Sequence, residues 1–142
     1  MSTEGPTIHD GSQTIAVAAY GNGNSLAGNG GSAQFLGVTL SQSVDRTSVL
    51  AAAAGAQIYG VLQNKPALGD AADVVIFGIT KAVCAAAGVT RGKPQMVTAT
   101  GAFTDWTAGS AYSQVGYALE SATSGQVFAM FFWGAGGVKV LT

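Results

Sequence analysis

From Gly60 onward the chain is a succession of short apolar runs, VVIFGITKAVCA, PQMVTAT, SQVGYALE, QVFAMFFW and GVKVL, each soon cut by glycine, proline or aspartate. Runs of this length, rich in Val, Ile, Phe and Thr and separated by turn signals, make the strands of a sandwich or barrel. An α/β fold would need long amphipathic helices, and the only helical candidate is the alanine-rich stretch 48–54. A helix that short is marginal alone, so its tertiary surroundings decide between helix and strand. The chain therefore reads as all-β, a small sandwich or barrel with at most one or two short helices. A length of 142 residues suits one compact domain.

Before Gly60 the pattern is less regular. Residues 2–12, STEGPTIHDGS, combine Pro, Gly and small polar residues around the single apolar Ile8, the composition of an arm that need not be ordered alone. The expected organisation is a flexible arm at 1–12 and a single β-rich domain at 13–142. Residues 13–20 read as a first strand, and GNGNSLAGNGG at 21–31 as a flexible loop in which positive φ costs little. From Ala33 the run AQFLGVTLSQSV alternates as a strand, with Phe35, Val38 and Leu40 inward and a bulge at Gly37.

One stretch recurs. GVLQNKPALGDAADVVIFG, from Gly60, is echoed by GYALESATSGQVFAMFF, from Gly116, so that Gly60 matches Gly116 and Gly69 matches Gly125. Each copy holds an apolar strand end, a small polar turn and an alternating strand. The physical reading is a pair of strand–turn–strand units in which glycine supplies a backbone conformation that a Cβ would resist. A phosphate cradle would need Lys and Ser/Thr after the last glycine, whereas Asp-Ala follows Gly69 and Gln-Val follows Gly125.

Charge narrows the function. Charged residues make up 9% of the chain, against about 25% in ordinary soluble domains. Seven acids and six bases leave a net charge of −1 with no basic stripe, which disfavours direct nucleic-acid binding and attachment to anionic lipid. The start, MSTEGPTIHD, carries neither a basic nor an apolar leader segment, and the run from Val127 is too broken by glycine to span a bilayer. His9 is the one near-neutral base and lies in the arm; its default role is a solvated residue or an interface contact. Cys84, among alanines, reads as a small buried hydrophobe. Asp73, Asp105 and Glu120 read as turn and edge residues rather than a carboxylate pair for glycoside cleavage. No acid, base and orienter come together, no metal spacing is present, and neither enzymatic activity nor a cofactor is expected. Trp106, in a Thr/Gly/Ser-rich turn, suits a subunit contact and internal burial equally well.

The residues IYGVLQNKPALGDAADVVIFGITKAVCAAAGVTRGKPQMVTATG, followed by YSQVGYALESATSGQVFAMFF, resemble the head decoration, or capsid cement, proteins of tailed bacteriophages. The shared parts are a G-V-L-x-N-x-P-A-x-G-[DE] turn, a V-x-x-x-G-[IV]-x-K-[AV] strand, an A-G-x-x-x-[RA]-G-[KD] connection and a G-x-A-L-E-x-A-x-x-G hairpin, in that order over about residues 56–133. The resemblance implies a β-tulip-type domain on the outer surface of the virion, made in the host cytoplasm. It implies a homo-oligomer, with a trimer favoured, that holds neighbouring major capsid protein subunits together and stabilises the head. It carries over no catalytic residue. On this reading the candidate capsid or subunit contacts are Thr3, Glu4, Pro6, Ile8 and His9 of the arm, with Trp106 and Trp133. A tail or fibre component is the next reading, and a carbohydrate-binding module using Trp106 or Tyr112 as a stacking platform the third.

Overall fold

The computed structural model describes the backbone of residues 13–19, and residues 33–45, 47–66, 71–108 and 111–133 with their side chains. Among the described residues there is no helix. The nine strands are β1 (Gln13–Ala19), β2 (Gly37–Leu40), β3 (Thr47–Leu50), β4 (Gly60–Leu62), β5 (Ala71–Val83), β6 (Pro94–Val97), β7 (Phe103–Asp105), β8 (Gly116–Ala118) and β9 (Val127–Phe132). They form one curled sheet in the order β1-β3-β2-β4-β5-β9-β8-β6-β7, so the all-β expectation holds. The 48–54 stretch resolves as β3 and a turn, because Val38 and Thr39 of β2 pair with Leu50 and Val49 and Gly55 takes a φ of 69°.

The sheet closes on itself twice. β1 pairs with β3 and also with β5, completing a ring of β1, β3, β2, β4 and the first half of β5. The second half of β5 pairs with β9, and a bridge from Cys84 to Phe103 joins its end to β7, completing a ring of β5, β9, β8, β6 and β7. Closure leaves few free strand edges. The thirteen-residue β5 belongs to both rings.

The two rings repeat one unit. Val61 and Leu62 pair with Val75 and Val74 as Tyr117 and Ala118 pair with Phe131 and Met130, 56 residues on (61 to 117, 75 to 131). Gln63 N–H donates to Asp73 O at 2.8 Å as Leu119 N–H donates to Ala129 O at 2.9 Å. Asn64 Oδ1 accepts from Asp73 N–H and Glu120 Oε2 from Ala129 N–H, each at 3.0 Å. Gly37 opposes Val61 as Pro94 opposes Tyr117. Phe35 N–H donates to Leu62 O and Gly92 N–H to Ala118 O, and both donors are left-handed, with φ of 68° and 83°. The first half of β5 corresponds to β9, while its second half takes in the second unit the place that β1 has in the first.

Each unit has a core. Val38, Leu50, Leu62, Ala72 and Val74 fill the first; Ala82, Val97, Phe103, Ala118, Phe128, Met130 and Phe132 fill the second. Burying each of the three phenylalanines contributes about 3 kcal/mol.

Three expectations from the first forty residues need correction. Phe35 is half-buried in a left-handed turn ahead of the strand, and Leu40 is 53% exposed at the strand's outer end; only Val38 points inward as expected. Alternation alone does not distinguish a core position from a rim position at a strand's last residue. Gly37 is not a bulge. It pairs in register, and a Cβ there would lie 2.9 Å from Ile58 Cδ1. The stretch around Asp105, read as a turn, forms β7. The arm, the 21–31 loop, Gly69 with Asp70, and the final GVKVL run lie outside the described residues.

Candidate functional site

Strand pleating places residues opposite one another across a ladder on the same face. Ile79 of β5 opposes Phe131 of β9, Phe131 opposes Tyr117 of β8, and Tyr117 opposes Pro94 of β6. Trp106 follows β7 and its backbone N–H donates to Pro94 O at 2.8 Å, which sets it beside Pro94. A row of large apolar side chains thus crosses the second unit on its outward face. Phe77 packs edge-on against Phe131 with ring centroids 5.4 Å apart, and Trp133 against Tyr117 at 4.9 Å.

Hydrogen bonds orient the two indoles. Trp106 Nε1–H donates to Tyr112 O at 3.0 Å and Trp133 Nε1–H to Gln114 O at 3.1 Å. Both indoles are half-buried with their polar atoms satisfied, leaving apolar ring surface to offer. Phe77, Ile79 and Tyr117 remain 45%, 54% and 44% exposed, so the row presents apolar surface to solvent.

Of the predicted contact residues, the structure brings Trp106 and Trp133 to the two sides of Tyr117 and Pro94. Thr3, Glu4, Pro6, Ile8 and His9 lie outside the described residues. Sequence reasoning missed Phe77, Ile79 and Tyr117. The available signal was β5 itself, where large apolar residues occupy the alternate positions Phe77 and Ile79 beside the exposed Lys81.

The polar groups of the second unit tie strand ends together. Asp105 Oδ1 accepts from Thr90 N–H and Gln95 Nε2, each at 2.8 Å, and Lys93 Nζ stands 3.6 Å from Oδ2. Burial pushes the Asp105 carboxyl up, but the hydrogen bonds from Thr90 and Gln95, with Lys93 beside them, outweigh it and hold the group below its ordinary range. A depressed carboxyl stabilises the fold in its ionised form. That contribution is complete above the unfolded value, about pH 4, and disappears as the pH falls through the folded one. Acid unfolding followed by circular dichroism should therefore show Asp105→Asn less stable at neutral pH and less sensitive to acid than the parent.

Cys84 is buried, as its alanine setting predicted, and burial raises its thiol above the ordinary range. An open cleft of about 600 Å³ lies beside Gln34, Gln63, Thr80 and Lys81. Its amides are already engaged, Gln63 Nε2 with Thr80 Oγ1 and Gln34 Nε2 with Gln63 O, both at 2.7 Å. Among the described residues no three His, Cys, Asp or Glu side chains are grouped to hold a metal ion. No described helix is long and apolar enough to cross a membrane.

No family model matches the chain. No curated protein matches it either. Among solved structures the chain is similar to the N base of the head fibre protein gp8.5 of bacteriophage phi29, with a TM-score of 0.63 and 18% identity, over 84% of this chain and 94% of that one. At that identity the likeness is one of fold.

Proposed function

We propose that the chain is a structural protein of a phage virion, placed on the outer surface of the head, where it binds the major capsid protein, bridges neighbouring subunits and stabilises the shell. The observation that carries this reading is the likeness in fold, over 84% of this chain and 94% of the other, to the base of a phage head fibre. The order of the decoration-protein motifs over residues 56–133 supports it, as does the sparsely charged surface, which loses little ion solvation when covered. The protein acts as a homo-oligomer, a trimer by preference. Several modest contacts then engage the lattice together. It needs no cofactor and performs no catalysis, and it contacts neither nucleic acid nor membrane. Thr3, Glu4, Pro6, Ile8 and His9 reach the capsid, adding their segment to an exposed sheet edge.

A second reading, that the domain is the base of a fibre, is favoured by the identity of the neighbour as a fibre base. Both readings place the domain on the head, and electron cryomicroscopy of the particle separates them by whether a shaft continues outward. Purified protein added to undecorated heads should bind to saturation and raise their melting temperature. Heads that take up no protein would refute the proposal. Removing residues 2–11 locates the contact: lost uptake assigns it to the arm, and undiminished uptake to the body of the domain.

A further inference from the structure

The two units share their register, yet equivalent positions are covered in one and open in the other. In the first unit the outward row is Val75, Val61, Gly37 and Ala51, all buried. The second unit covers the Gly37 end of it. Val97 Cγ2 and Phe103 Cζ lie 3.0 and 3.4 Å from where a Gly37 Cβ would stand. Gly37 N–H donates to Gly101 O at 2.8 Å and Gly55 N–H to Val97 O at 2.7 Å. The end of the second ring, at the β6–β7 hairpin, thus sits on the outward face of the first.

The matching row of the second unit is Phe131, Tyr117, Pro94 and Trp106. These side chains are larger than their counterparts, and all are half-buried or exposed. The opposite end of the chain has the complementary vacancy. Val97, fully buried in the covering hairpin, corresponds in register to Leu40, which is 53% exposed, and Val44 on the same β2–β3 hairpin is 39% exposed. Among the described residues, the one contact made inside the chain therefore leaves a hairpin end of the first unit and an outward row of the second uncovered.

We propose that copies of the chain join head to tail, the β2–β3 hairpin of one subunit, with Leu40 and Val44, seating on the Phe131, Tyr117, Pro94 and Trp106 row of the next. The contact joins the surfaces equivalent to those that meet between the units, but through side chains, because Pro94 has no N–H to give the bond that Gly37 donates to Gly101 O. Two different surfaces meet, so the contact is heterologous, and a closed ring uses every hairpin and every row. Aromatic side chains on the receiving row supply the rigid anchors that such a contact requires. The inference rests on the homo-oligomeric reading above and gives it a geometry.

Sedimentation velocity on the full chain tests it, with circular dichroism confirming that each variant is folded. Leu40→Asp and Tyr117→Asp alter exposed side chains on opposite members of the contact, and Leu40→Ser with Tyr117→Ser form a milder pair should either aspartate variant fail to fold. The parent should assemble, and each variant alone should sediment as a monomer. An equimolar mixture of the two should form a dimer and grow no further, because it contains one intact hairpin facing one intact row. A monomeric parent, a variant that keeps the parental assembly, or a mixture that stays monomeric would each overturn the proposal. Head binding is scored separately. A parent that assembles as expected but leaves heads bare retains this contact and loses the capsid role, while decorated heads with both variants still assembled do the reverse.

Discussion

Gly116→Ala should cost about 3 kcal/mol or more in chemical denaturation, and Gly60→Ala nearly as much, although neither glycine has a left-handed backbone. A Cβ at Gly116 would overlap the backbone oxygen of Phe131 and stand 2.7 Å from Met130 Cε. At Gly60 it would overlap Val74 Cγ1 and stand 2.8 Å from Val75 O. Backbone oxygens in a paired ladder do not yield as the end of a flexible side chain does. The strand must separate from its neighbour or shift register, and a shift by one residue would turn the whole apolar set outward. Gly92 and Gly125 provide the contrast. Both are left-handed, with φ of 83° and 79°, and beyond the adjoining residues of the chain no atom lies within 4 Å of a Cβ at either position. Alanine there meets only the backbone penalty, about 1–2 kcal/mol. A loss at Gly92→Ala as large as that at Gly116→Ala would defeat the packing account.

That distinction sharpens what the recurrence means. The pair Gly60 and Gly116 marks equivalent places because a Cβ at either would run into the facing strand, and the expectation that these glycines serve by unusual dihedral angles does not hold for them. It does hold for Gly125. The repeat was visible from sequence around the β4–β5 and β8–β9 corners, where the same clash selects the same residue. Elsewhere it was hidden, for a physical reason. Gly37 and Ala51 are buried, whereas their counterparts Pro94 and Trp106 are only half-buried, so two different burial environments selected unlike side chains in the same register. Val38 and Gln95 diverge inside the rings as well. Both are fully buried, but Gln95 Nε2 binds Asp105 Oδ1 at 2.8 Å, an acceptor for which the first unit has Leu50.

The strand class was legible because turn residues interrupt every apolar run, and the buried state of Cys84 followed from its alanine neighbours. The candidate surface was half legible. Two tryptophans in a sparsely charged chain suggested contacts, but only the pairing of β5, β9, β8 and β6 aligns Ile79, Phe131, Tyr117 and Pro94 into one row. Register is a long-range property. β5 (Ala71–Val83) and β9 (Val127–Phe132) pair across a long separation in the chain, as do β6 and β8, and no such pairing is encoded by the period of a single strand.

Phe103→Ala should cost about 3–5 kcal/mol and should unfold the chain in one transition, not two. Phe103 is fully buried where the units meet, its Cζ 3.4 Å from the place of a Gly37 Cβ and its carbonyl accepting Ala85 N–H at 2.7 Å. In many repeat proteins stability is a sum over units and their interfaces, and one weakened unit can open by itself. Two features oppose that here. β5 is a member of both rings, so neither ring can lose it alone, and the open end of the second ring is sealed by residues of the first. Truncation at Phe103 therefore removes core from the second unit and cover from the first together. The sequence provides a direct readout, since both tryptophans, Trp106 and Trp133, lie in the second unit, while circular dichroism reports the strands of both. The two signals should follow one denaturation curve in the parent and in Phe103→Ala, displaced to lower denaturant in the variant. A tryptophan signal that moves ahead of the dichroism would mean that the second unit unfolds while the first remains, and the shared strand would then not couple them.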